Sequence, residues 1–215
     1  MTEVILCRHG QTDWNREGRW QGRTDVPLNE RGREQARELA ETLRDQPVAA
    51  IYSSTLERAY ETALEIARVH RLHVQRDPRL DEIDQGAWEG MRRDEIVVTH
   101  PRELESWTSF PIDLRLPGGE TLAEVRARVQ EALDDIILLH EGRTVCIVAH
   151  SVSMAAIKHE LQGLPLPDAL RNLPPNASWE RIPVGEYDEI RATRFIGAAK
   201  ESGRRWRQPG SGSKS

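Results

Sequence analysis

Two residues at the end of an apolar run are the first in the chain that could do chemistry. Val4-Ile5-Leu6-Cys7 leads directly into Arg8-His9-Gly10. A cation and an imidazole at the end of a buried strand are costly unless they are paired or hydrogen-bonded, and a bound anion would pair them. The plainer alternative is a strand end with both side chains turned to water. Gly10 weighs towards the anion, because a glycine lets the backbone turn tightly and come close to a ligand, so that its N–H groups can face a phosphate.

Three further stretches put charged or proton-transferring residues at expected strand ends or helix starts. Ser54-Thr55-Leu56-Glu57-Arg58 places Arg58 in the first turns of a helix. A cation there opposes the helix dipole unless an anion lies between them; a surface arginine paired with Glu57 or Glu61 is the other reading. Leu80 to Gly90 carries Asp81, Glu82, Asp84 and Glu89, four carboxylates among which spacing alone does not choose. Val148-Ala149-His150-Ser151 closes a buried run with a histidine, a position where a lone histidine is more often structural. In open α/β sheets such edges are where ligands bind.

The elements that must position these residues follow from periodicity. Val4 to Leu6, Ala49 to Tyr52, Leu72 to Gln75 and Thr144 to Ala149 read as strands, the last covered on both faces because its apolar run is continuous. Ala36, Leu39, Ala40 and Leu43 recur at helical spacing between Glu30 and Asp45. Ser54 to Glu57 and Thr121 to Glu124 have capping-box spacing. The first box opens a helix through Ala59, Ala63, Ile66 and Ala67, and the second one with Leu122, Val125, Val129, Leu133, Ile136 and Ile137 as its buried stripe. A helix from about Val152 to Leu161 follows, and prolines 165, 167, 174 and 175 break the chain after it. Trp179 to Pro183 and Tyr187 to Ile196 read as strands. The segment Asn15 to Asn29 is too rich in Arg, Gly and Gln for a regular element, and residues 91–120 read as irregular apart from a short helix near Asp94 to Thr99. Strands separated by helices give an α/β sandwich with a mainly parallel sheet. Residues 1–196 form one domain with a small cap segment at about 91–120, and 197–215 a mobile basic tail.

Composition bounds the function classes. The chain has 215 residues, 38% of them apolar, and a net charge of −5, which gives no hint of a nucleic-acid surface. The longest apolar stretches, such as Ile136-Ile137-Leu138-Leu139, fall far short of the roughly 20 residues of a membrane span, and no signal-peptide pattern precedes the first strand. Cys7 and Cys146 lie in apolar strands and read as reduced core residues of a cytoplasmic protein; a reactive thiol at Cys7, beside Arg8, is the alternative. His70, His73, His100, His140 and His159 form no metal-binding signature and read as surface or helix-face residues.

Taken together, Arg8-His9-Gly10-Gln11-Thr12, Ser53-Ser54-Thr55-Leu56-Glu57-Arg58-Ala59-Tyr60-Glu61-Thr62-Ala63, Leu80 to Gly90 and His150 resemble, in order, the motifs of the histidine phosphatase superfamily, also called phosphoglycerate mutase-like. The resemblance covers most of residues 4 to 155. It implies a three-layer α/β/α sandwich and phosphoryl transfer without a metal or other cofactor. On that scheme His9 is the nucleophile, and Arg8, Arg58 and His150 hold the phosphoryl oxygens. Glu82 is the proton donor, and Asn15 with the Gln21-Gly22 backbone adds phosphate contacts. The family usually has glycine where this chain has Ser151, whose hydroxyl could donate to a phosphate oxygen. The implied partner is a small phosphorylated metabolite, with no nucleic acid or membrane, and relatives are often homodimers. Arg92, Arg93, Trp107, Phe110, Glu120 and Thr121 are candidates for closing the pocket. The short segment after Gly90 favours a phosphatase over a mutase, and the motifs look most like metal-independent phosphoserine phosphatases. Those carry a histidine where this chain has Gln85. α-Ribazole phosphate and broad-specificity phosphatases, a cofactor-dependent phosphoglycerate mutase and a non-catalytic phospho-ligand binder are the other readings.

Overall fold

The computed structural model describes residues 1–185. Five strands, β1 (Glu3–Arg8), β2 (Val48–Ser53), β3 (Val74–Arg76), β4 (Thr144–Ala149) and β5 (Trp179–Pro183), form one sheet in the order β3-β2-β4-β1-β5. The first four are parallel, and β5 runs antiparallel to β1 at the edge.

Side chains alternate across each strand, and each set meets its own helices. Ile5, Cys7, Ile51, Cys146 and Val148 pack under α2 (Glu30–Leu43) and α3 (Glu57–His70). On the other face Val4, Leu6, Tyr52, Val145 and Ile147 pack under α6 (Leu122–Leu139) and α7 (Ser151–Gln162). All six residues of β4 are buried, as its continuous apolar run requires when both faces are covered. The expected sandwich with a mainly parallel sheet is therefore present. No helix among the described residues is long and apolar enough to cross a membrane.

Register fixes where the chemistry can be. Arg8 lies opposite Ala149, and Ser53 opposite Val148. Three parallel strands thus end level, delivering His9, Ser54 and His150 to one edge of the sheet.

Several expectations need correction. The polar stretch after His9 contains a short helix, α1 (Asp13–Glu17), because Thr12 Oγ1 accepts from the Asn15 N–H while the Asn15 side chain accepts from the Thr12 N–H. The box at Ser54 to Glu57 does not form: Leu56 precedes α3 with no side-chain cap. Ser54 Oγ instead donates to Asp81 at 2.7 Å, and the Glu57 carboxylate pairs with Arg76. The Thr121 to Glu124 box forms as expected, although Ile137 is only half-buried. Two helices were not foreseen, α5 (Pro101–Trp107) after α4 (Arg93–Thr99), and α8 (Leu166–Arg171). In both a proline sits in the first turn, where its missing N–H has no intrahelical partner to lose. The strand expected at Tyr187 to Ile196 and the tail 197–215 lie outside the described residues.

The two cysteines are buried with their sulfurs 3.8 Å apart. The Cys146 thiol, followed by burial, pushes the Cys7 thiol well up, so Cys7 is a core residue and not a reactive thiolate.

The turn after β1 is packed against the start of α2, and a methyl group on Gly10 would run into the Gly32 carbonyl. Gly10→Ala is therefore expected to cost about 1–3 kcal/mol in urea unfolding, and an unchanged midpoint would show that the two segments are not held in contact.

Candidate active site

Each strand end contributes one part of a single cavity of about 460 Å³. Arg8, His9, Asn15, Gln21, Gly22, Arg58, Glu82 and Ser151 all line it. His150 lies directly behind, fully buried, its ring centroid 5.1 Å from that of His9.

The tautomers follow from the hydrogen bonds. His9 Nδ1 is 2.6 Å from the Gly10 carbonyl; a carbonyl can only accept, so Nδ1 carries the proton and Nε2 keeps its lone pair. Arg58 Nε donates to His150 Nδ1 at 3.2 Å, which puts the His150 proton on Nε2. That nitrogen is buried and has no hydrogen-bond partner among the described residues. Burial, then Arg58, then Arg8 hold His9 well below the ordinary imidazole range. Burial, then Arg58 and His9 do the same for His150. The site thus presents one neutral imidazole as a lone-pair donor and one as a proton donor.

Arg58 is 1% exposed. Besides His150 it donates to the Thr24 and Gly22 carbonyls at 2.9 and 2.7 Å. The surface-arginine reading is thereby overturned: Glu61 pairs with Arg33 and Glu57 with Arg76. Arg8 donates through Nη1 to the Pro174 carbonyl, while its buried Nε has no partner among the described residues. Burial pulls both guanidinium groups below the usual arginine value, opposed first by Glu82. They remain charged, since arginine does not deprotonate in proteins.

The four carboxylates of residues 81–89 have separate surroundings. Asp81 accepts from Ser54 and Thr55, Asp84 from the Gly86 N–H, and Glu89 from the Arg23, Thr24 and Gln85 N–H groups. Of the four only Glu82 lines the cavity, held by the N–H groups of Val152 and Ser153 at the start of α7 and by its neighbour Ile83. Gly22 lies where its carbonyl reaches Arg58, and a side chain there would collide with Glu89. Gln21 Oε1 accepts from Thr12 Oγ1 at 3.0 Å. Asn15 Oδ1 accepts from Thr12 and Asn176, leaving its Nδ2 for other partners.

Of the residues expected to close the pocket, Arg93, Trp107 and Phe110 line the cavity. Arg92, Glu120 and Thr121 do not: Arg92 precedes α4, Glu120 is bound by Arg23 and Arg128, and Thr121 caps α6. Trp20, Val152, Leu170 and Leu173 complete an apolar wall that sequence reasoning missed. Their signal was ordinary core-like hydrophobicity, which does not distinguish a ligand wall from packing. Among the described residues, no group of three or more His, Cys, Asp or Glu is placed to hold a metal ion.

Comparison with known proteins gives a consistent neighbourhood. The family model described as histidine phosphatase superfamily (branch 1) matches residues 4–193. The chain is similar to phosphoserine phosphatase 1 of Hydrogenobacter thermophilus, 41% identical over 166 residues that cover 77% of this chain and 79% of the relative. It is also similar to a probable phosphoglycerate mutase of Enterobacter, 36% identical and covering 88% and 86% of the two chains. Among solved structures, that of a mycobacterial glucosyl-3-phosphoglycerate phosphatase with VO3 superposes with a TM-score of 0.77 at 32% identity. It covers 83% of this chain and 90% of that one.

The depressed histidines set a pH dependence. Unfolded histidine binds a proton near pH 6.5, whereas His9 and His150 in the folded protein do not. Stability contributed by these two groups is fully present above that pH and is lost as the pH falls below it. Urea unfolding between pH 8 and 5 should therefore show a steeper acid loss in wild type than in a His9→Asn, His150→Asn double variant. Parallel losses would contradict neutral burial.

Proposed function

The chain belongs to the histidine phosphatase superfamily, branch 1, and is a phosphatase of it; from that membership we propose a metal-independent phosphomonoesterase that works through a phosphohistidine on His9. The substrate is a small phosphorylated metabolite, and phosphoserine is the one favoured. The observation that carries this reading is the His9 Nδ1 contact to the Gly10 carbonyl, which leaves Nε2 as a nucleophile in a cavity walled by Arg8, Arg58 and Glu82.

In the first step the Nε2 lone pair forms the N–P bond while the bond from phosphorus to the alcohol oxygen breaks. Arg8, Arg58 and the Nε2–H of His150 stabilise the three oxygens on which transition-state charge rests. Arginine suits this role because its planar fork donates to two oxygens and keeps its charge. Asn15, Gln21, Gly22 and Ser151, which share the cavity, hold the phosphoryl group in the same orientation. Glu82 gives its proton to the departing alkoxide as general acid. In the second step Glu82 takes a proton from water as the water oxygen attacks phosphorus, the N–P bond breaks, and His9 is regenerated.

Support for phosphoserine comes from the 41% identical relative of that name and from Gln85. This side chain is 8% exposed and lines the cavity, and its Oε1 has no partner among the described residues. A buried unpaired acceptor is costly, and the ammonium group of phosphoserine is a donor that would relieve it.

Phosphate release from phosphoserine, 3-phosphoglycerate, glucosyl-3-phosphoglycerate and α-ribazole phosphate, measured with EDTA present, tests the proposal. Phosphoserine should turn over fastest, EDTA should have no effect, and His9→Ala should lose at least about a thousandfold. In Glu82→Gln the first step, read as the pre-steady-state burst of released alcohol, should slow about 10²–10⁴-fold with phosphoserine but far less with p-nitrophenyl phosphate, whose leaving group needs no proton, while the shared second step slows with both. Loss of activity in EDTA would refute the metal-free scheme, and interconversion of 3- and 2-phosphoglycerate without release would establish a mutase.

A further inference from the structure

The nucleophile's backbone is gripped by a short segment that none of the assigned roles uses. Between α8 and β5 the chain runs Pro174-Pro175-Asn176-Ala177-Ser178, and it crosses the end of β1 at His9. The Arg8 N–H donates to the Ser178 carbonyl at 2.9 Å, and the Ala177 N–H donates to the His9 carbonyl at 3.0 Å. Asn176 adds three contacts from one nitrogen. Its Nδ2 lies 3.1 Å from the His9 carbonyl, 3.3 Å from the Gly10 carbonyl and 3.2 Å from Asn15 Oδ1.

The backbone is strained to make this possible. Ala177 has φ +55°, a left-handed conformation that residues with a Cβ seldom adopt. Such strain persists only where the surroundings over-determine it. Here it lets consecutive residues aim a side-chain amide and a main-chain N–H at the same His9 carbonyl.

The carbonyl that matters chemically is that of Gly10, because it accepts the His9 Nδ1 proton and so keeps Nε2 unprotonated. A carbonyl free to rotate would release the ring, and a proton on Nε2 removes the nucleophile. We propose that Asn176 is a positioning residue, whose amide fixes the Gly10 carbonyl and thereby the tautomer and direction of the His9 ring. The same nitrogen holds Asn15 Oδ1, so the turn after His9 and the segment 174–178 are set as one unit. Asparagine suits the position because the three neighbours are all acceptors and its NH₂ group offers two hydrogens. Aspartate has nearly the same shape but no hydrogen to give.

This inference rests on the phosphohistidine reading, and the experiment separates the two. Wild type, Asn176→Ala, Asn176→Asp and His9→Ala are compared as full chains. The measurements are steady-state hydrolysis of phosphoserine and of p-nitrophenyl phosphate, and competitive inhibition by inorganic phosphate. The expected result is a fall in kcat of about 30- to 100-fold in both Asn176 variants, the scale associated with misplacing a reacting group by about 1 Å. KM and the phosphate inhibition constant should stay within about threefold, because Arg58 and His150 still hold the phosphoryl group. Asn176→Asp should be no better than Asn176→Ala, although it fills the same space. Wild-type kcat in either variant would overturn the proposal. So would a rise in the phosphate inhibition constant in step with the loss of kcat, since that marks general damage to the pocket. Phosphate release undiminished in His9→Ala would instead sink the phosphohistidine reading itself.

Discussion

The rest of the site depends on Arg58, a guanidinium buried at the edge of the sheet with no carboxylate bonded to it. Placing a charge at 1% exposure costs several kcal/mol unless dipoles or a counter-ion replace the lost water. Two loop carbonyls, from Gly22 and Thr24, and the Nδ1 of His150 do part of this. They also dictate structure: the loop after α1 must fold back over α3, and His150 must present Nδ1 to Arg58 and its proton elsewhere. What these groups leave incomplete is the negative charge, which on the proposed reading a phosphoryl dianion supplies. On that reading, affinity for the anion and the order of the site have one electrostatic origin.

The sheet makes this arrangement reproducible. Because β1, β2 and β4 are in parallel register and end level, the residues after them share one edge without any long connection having to be positioned. The neutral state of His9 is a consequence of the same geometry. Burial and the two neighbouring arginines disfavour the imidazolium, so the ring proposed to donate a lone pair is kept unprotonated by the groups proposed to bind the substrate's charge. On the proposed mechanism one set of cations serves both ground-state binding and preparation of the nucleophile.

Much of this was legible in the sequence, and the failures have physical causes. Apolar continuity revealed β1 and β4, and helical spacing revealed α2, α3 and α6, because burial dictates those patterns directly. Arg58 stood out since a cation in a first helical turn is unfavourable without an anion. Glu82 could not be separated from Asp81, Asp84 and Glu89 by spacing, because what distinguishes them is which backbone N–H groups face each one, a tertiary property. Ser54 looked like a helix cap, but its oxygen accepts from the Leu56 N–H and its hydroxyl donates to Asp81, and α3 begins only after Leu56, two residues later than the spacing implies. Trp20, Leu170 and Leu173 resembled core residues, and Asn176-Ala177-Ser178 stood out only by its resemblance to phosphoserine phosphatases, without a role for Asn176. Their roles come from contacts with segments far away in sequence, such as Asn176 against His9, 167 residues apart, which local spacing does not reveal.

The central claim is that the phosphoryl group is transferred twice, first to His9 and then to water. The stereochemical course at phosphorus tests it most directly, using a substrate whose phosphorus is made chiral with sulfur and oxygen isotopes and hydrolysed in isotopically labelled water. Two in-line transfers predict overall retention of configuration. Overall inversion would mean a single direct attack by water, and would contradict a covalent role for His9.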